Sequence, residues 1–140
     1  MEKQYQKKSY TLFWAWLLLL AGVVVFFTFN RGYFPTIGSG KNLGILVLVL
    51  LDLLFLLILI TQSIYWISGV TYEAAAAADS GARRRYAFWH FVIFLAATFL
   101  FLYYCFGMKS MLRADSTRDS LVAGGMVCAA AVVSTKIRLK

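Results

Sequence analysis

From Leu43 to Trp66 the chain reads LGILVLVLLDLLFLLILITQSIYW, an apolar run with one acidic residue, Asp52, near its middle. About 20 such residues suffice to cross a bilayer as a helix. Hydrocarbon offers no partner to backbone N–H and C=O groups, so a spanning segment folds as a helix or closes into a barrel. The period-two alternation of a barrel strand is absent here. Helix is the expectation.

Composition extends this to the whole chain. Of its 140 residues 61% are hydrophobic and only 14% charged, against about 25% charged in a soluble domain. Four apolar segments stand out, at about 10–29, 43–69, 87–107 and 120–135. The last is short and recruits residues up to Leu139, with Lys and Arg side chains reaching back to water. The first is longer than the roughly 7–15 apolar residues of a signal peptide, and no A-x-A-like site follows it, so a retained helix is expected. The fold class predicted is all-α: one integral membrane four-helix bundle covering residues 1–140.

Lysine and arginine placement sets the expected orientation. With four crossings the N-terminal segment, the 70–86 connection and the C-terminal segment share one side. That side carries Lys3, Lys7, Lys8, Arg83, Arg84, Arg85, Lys136, Arg138 and Lys140. The other carries Arg31, Lys41, Lys109, Arg113 and Arg118. The positive-inside rule then predicts cytosolic N- and C-termini. The net charge of +8 follows from these flanks, which is a topology pattern and no nucleic-acid groove. In the 70–86 connection, the alanines from Ala74 to Ala78 favour an extension of the second helix, with Gly81 as its left-handed stop. Pro35 marks the first outer loop as a short turn, and the outer segment from Lys109 to Asp119 reads as solvated.

Asp52 is the first candidate site. At about 1.5 Å per residue it lies roughly 13 Å deep, and Thr98 and Cys128 fall at nearly the same level. No cation comes within reach, so the carboxyl is expected to be neutral and to donate a hydrogen bond across helices. The reading is a packing site, within the bundle or between subunits. A proton or ion relay is the alternative, although relays use several polar groups in series. Gly124 with Cys128, and Gly125 with Ala129, give small-xxx-small spacings, expected to form the packing core of the bundle or else a homo-oligomer contact. Phe13, Trp14, Trp16, Phe26, Phe27, Phe91, Phe94, Phe99 and Phe101 are expected to face lipid, and His90 to sit at the interface beside Trp89. Arg83, Arg84 and Arg85 could hold anionic headgroups at about 1 kcal/mol each. Cys105 and Cys128 are not expected to pair. Nucleotide loops, zinc motifs and catalytic triads are missing from the sequence, and a single histidine stands without an acid–base partner. Enzyme activity, cofactors and metals are therefore not expected.

The third and fourth segments add a resemblance. Arg85-Tyr86-Ala87-Phe88-Trp89-His90 leads into Ala96-Ala97-Thr98-Phe99-Leu100, then a charged loop and an alanine-rich helix ending Ser134-Thr135-Lys136-Ile137-Arg138. This layout resembles the MARVEL-type tetraspans, the myelin-and-lymphocyte, plasmolipin and chemokine-like-factor group. The resemblance implies four helices, cytosolic termini, and a role in membrane apposition, vesicle traffic or lipid-domain organisation, with no catalytic residues. The expected function is a non-enzymatic tetraspan that binds membrane lipids or protein partners, as a trafficking scaffold or accessory subunit. Membrane lipids, other membrane subunits or further copies of the chain are the expected partners. A small oligomeric ion or proton channel using Asp52 is the alternative.

Overall fold

The computed structural model describes residues 5–33, 39–67, 69–108 and 115–139. Among them every regular element is helical. They are α1 (Thr11–Phe29), α2 (Gly40–Thr61), a 3₁₀ turn (Ile64–Trp66), the short α3 (Tyr72–Ala77), α4 (Ser80–Tyr103) continued by a π-helical turn (Tyr104–Met108), and α5 (Ser116–Ser134). Three helices are long and apolar enough to cross a membrane: α1, α2, and α4 with its π turn.

Side-chain oxygens at the N-caps decide where four of the helices begin. Ser39 Oγ accepts from the Asn42 amide at 3.3 Å, Thr71 Oγ1 from Ala74 at 3.2 Å and Asp79 Oδ1 from Ala82 at 2.6 Å. Asp115 Oδ1 accepts from both Thr117 and Arg118. Each satisfies a backbone donor that has no partner inside its own helix, worth about 1 kcal/mol.

The core is made by α2, α4 and α5, which pack on one another. Gly40 and Gly44 of α2 meet Ser116, Ser120 and Ala123 of α5, so these two helices run parallel. Asp52 pairs with Thr98, and Gly44 with Phe101, so α4 runs antiparallel to both. Leu48, Phe94, Ala97, Phe101, Tyr104, Cys105, Ala123 and Ala130 fill the centre. A second cluster, around Leu54, Ile58, Ile64, Tyr65, Trp66, Tyr86 and Ala87, closes the end where α2 stops. Tyr5, Ile137 and Leu139 pack against this cluster too, which brings the two ends of the chain to the same end of the bundle.

The first helix stands apart. No residue of α1 is buried. Half-buried Phe13, Trp16 and Leu17 lean on the second cluster, and Trp16 Nε1 donates to the Leu50 carbonyl at 3.0 Å. At its far end Phe29 is 84% exposed.

Several elements differ from the sequence expectation. The second helix stops at Thr61, short of Gly69, because Gln62 takes a left-handed conformation (φ 55°) and turns the chain back. The 3₁₀ turn then buries Ile64, Tyr65 and Trp66. The alanine run does not extend α2 but forms its own helix, α3, started by the Thr71 cap. Gly81 stops nothing. It lies in the first turn of α4, because Asp79 acts as an N-cap. The arginine triplet consequently belongs to α4 and not to a loop. Phe94 and Phe101 are core residues, while Trp14, Phe26 and Phe99 are exposed. The expectations for Pro35, Lys109 and Arg113 fall outside the described residues.

Candidate intramembrane and interfacial sites

Asp52 sits on the face of α2 that meets α4, only 8% exposed. Thr98 Oγ1 donates to Asp52 Oδ2 at 2.7 Å and also reaches the Phe94 carbonyl at 3.2 Å. A hydroxyl carries one proton, so it completes one of these bonds at a time. Both close together only if the carboxyl is protonated at Oδ2 and donates to Thr98, whose own hydroxyl then donates to the Phe94 carbonyl. Oδ1 is buried with no hydrogen-bond partner among the described residues. An ionised carboxylate so placed is costly, whereas a neutral one leaves only a carbonyl-like oxygen unpaired.

The other residue expected at this level, Cys128, is not brought to it. Cys128 points away from the core and is exposed. Gly124 and Gly125 also lie on the outer face of α5, and a Cβ at either would meet nothing within 4 Å. They are not the packing core of the bundle. The close approach is made instead by Gly40 and Gly44. A Cβ at Gly44 would lie 2.8 Å from both Ala123 Cβ and the Phe101 ring, and the Gly40 amide donates to Ser116 Oγ at 2.7 Å. The signal was in the sequence as a Gly-x-x-x-Gly pair, Gly40 and Gly44, that straddles the start of the apolar run.

At the end where α2 stops, the three arginines divide. Arg83 is only 9% exposed and serves the fold, so it is no headgroup ligand. Its Nη1 donates to the carbonyls of Ala75 and Ala78, its Nε to Gln62 Oε1 at 3.3 Å, and its guanidinium covers the Tyr5 ring at 4.2 Å. These bonds tie α3 and the Gln62 turn to α4. Arg84 and Arg85 are exposed and border a groove of about 470 Å³ with Leu59, Ile60 and Phe88. His90, expected beside Trp89 in an aromatic belt, faces inward instead and is 2% exposed, its Nδ1 2.9 Å from the Tyr86 carbonyl and its ring stacked at 6.2 Å on Phe55.

A tyrosine cluster at this end was not anticipated. Tyr5 donates to the Gln62 carbonyl at 2.6 Å, Tyr72 to the Tyr5 carbonyl at 2.9 Å and Tyr10 to the Tyr65 carbonyl at 3.2 Å. The Tyr65 hydroxyl donates to the Lys8 carbonyl and accepts from the Lys8 amide. Together they strap the segment ahead of α1 onto the bundle. Burial, reinforced by the neighbouring Tyr65 phenol and opposed by Arg83, pushes the Tyr5 phenol up to about 12. At the opposite end Tyr104 donates to the buried Asp119 at 3.0 Å, and Arg118 donates to Tyr104 at 3.2 Å.

Among the described residues no cluster of His, Cys, Asp and Glu is arranged to hold a metal. No protein-family model matches the chain, and comparison with curated proteins and with solved structures gives no significant match.

Proposed function

We propose that the protein crosses the membrane four times with both termini cytosolic, and acts without catalysis by holding lipids or partner proteins, as a scaffold or accessory subunit. The observation that carries this is the setting of Asp52 and Thr98. Leu48, Phe55, Phe94, Ala97, Phe101 and Ala130 surround the level of the pair with apolar core, and no chain of polar groups leads from it to either end among the described residues. A conducting path needs such a chain. A carboxyl and a hydroxyl bonded between two helices serve packing.

The fourth crossing is supported by α5 lying beside α2 along its length, from Gly40 and Ser116 at one end to the cluster holding Ile137 at the other. A bilayer deep enough for α2 also covers α5. The cytosolic assignment rests on the basic end of the bundle, where Lys7, Lys8, Arg84, Arg85, Lys136 and Arg138 gather. The resemblance of the Arg85–His90 and Ala96–Leu100 stretches to MARVEL-type tetraspans favours membrane apposition or traffic as the setting.

The second reading, a small oligomeric channel, is favoured by one observation, the unpartnered Asp52 Oδ1. Flux measurements on the protein reconstituted in liposomes separate the two. The scaffold reading expects no proton or potassium current above empty liposomes. A current abolished by Asp52→Asn would overturn it and establish the channel.

A further inference from the structure

Arg84 and Arg85 differ from Arg83 in that neither makes a hydrogen bond or ion pair with a described residue. Both stand at one end of the groove whose remaining walls are Leu59, Ile60 and Phe88. Phe88 follows the arginines by one helical turn, on the same stretch of α4 surface. Opposite, Ile60 is 71% exposed at the end of α2. The groove thus has a cationic mouth and an apolar floor, in that order along α4.

We propose that this groove binds one anionic phospholipid of the cytosolic leaflet. Its phosphate lies on Arg84 and Arg85, and an acyl chain runs along Leu59, Ile60 and Phe88. Guanidinium groups suit phosphate because their fixed N–H forks donate two parallel bonds. A free phosphate would use the mouth and leave the floor uncovered. A bound peptide would need polar partners for its backbone, which Leu59, Ile60 and Phe88 do not offer. Only an amphiphile matches both parts. The proposal rests on the membrane reading above, which puts this end of the bundle at the cytosolic interface.

The test titrates the full-length protein, purified in mild non-ionic detergent, with phosphatidylserine or phosphatidylcholine, and counts bound lipid by native mass spectrometry. One phosphatidylserine is expected to be retained, in preference to phosphatidylcholine. The double variant Arg84→Gln/Arg85→Gln should bind it about thirtyfold more weakly, as two basic residues at about 1 kcal/mol each require. Ile60→Gln keeps both charges and should still weaken binding severalfold. Lys136→Gln/Arg138→Gln, which removes as much charge from the same end, should leave it within about twofold. Glycerol phosphate in excess should not displace the lipid. Equal retention by the double arginine variant, no effect of Ile60→Gln, or displacement by glycerol phosphate each overturns the proposal. An Asp52-dependent current in liposomes would instead end the scaffold reading and leave the lipid result standing.

Discussion

Gly44 gives the sharpest test of how the helices pack. A β-carbon there would come within 2.8 Å of Ala123 Cβ and 2.8–2.9 Å of the Phe101 ring. Carbon atoms settle at about 3.5–4.0 Å, so α2 and its neighbours must part by roughly 0.6–1.2 Å, the difference between those distances. Phe101 has no exposed surface and Ala123 very little, and neither can swing aside without displacing the core. Overpacking of this kind costs about 1–3 kcal/mol, while replacing glycine by alanine inside a helix returns up to about 1 kcal/mol. Gly44→Ala should therefore lose about 1 kcal/mol, and Gly44→Val more, toward about 3 kcal/mol. Gly124→Ala and Gly125→Ala, which enter open space, should be neutral or slightly stabilising. Thermal unfolding in detergent micelles, followed by circular dichroism, measures all four variants side by side. If Gly124→Ala or Gly125→Ala were as damaging as Gly44→Ala, the assignment of the α2–α5 contact would be wrong.

Thr98→Val removes the hydrogen-bond partner of Asp52 and should cost about 1–3 kcal/mol. Asp52→Asn keeps a donor for Thr98 and should cost less in the same melts; the reverse order would contradict a neutral, donating carboxyl. Arg83→Ala should destabilise by more than about 2 kcal/mol and speed proteolysis at Lys7 and Lys8, since it strips partners from Ala75, Ala78 and Gln62. Arg84→Ala should stay within about 0.5 kcal/mol, and comparable losses would undo the division between these arginines. The Tyr5 phenol ionises near 12 in the folded protein and near 10 when unfolded. Its contribution is complete below pH 10 and disappears as pH rises toward 12. An ultraviolet titration comparing the wild type with Tyr5→Phe should place the late-ionising tyrosine at this position, and a Tyr5 titration near 10 would show that the strap does not hold.

The helices were legible in the sequence because hydrocarbon length and backbone satisfaction leave no other solution for such runs. Their boundaries were less so. At Asp79-Ser80-Gly81 the glycine suggested a stop, but the aspartate was the stronger signal, as an N-cap whose carboxylate accepts from Ala82. Gln62 and Ser63 interrupt an apolar stretch, yet nothing local shows that Gln62 turns left-handed, since that depends on Arg83 and Ser80 converging on its side chain. The meeting of Asp52 with Thr98 could be anticipated from axial counting alone. Counting gives depth but not azimuth, which is why Cys128, placed at the same level, faces outward. His90 followed the same logic in reverse: its neighbour Trp89 is exposed, while the ring of Phe55 on another helix makes the pocket that buries it.

The strap formed by Tyr5, Tyr10, Tyr65 and Tyr72 also bears on how the chain assembles. α1 precedes the other described helices in the chain, but it has no buried residue of its own; it leans on Leu50 and Trp66, and the strap ahead of it reaches residues as late as Arg83. It must wait at the edge, loosely held, until α2, the Gln62 turn and the start of α4 have been made and folded. α1 thus docks on surfaces made after it, and a locked strap signals that the Gln62 turn and α3 are already in place.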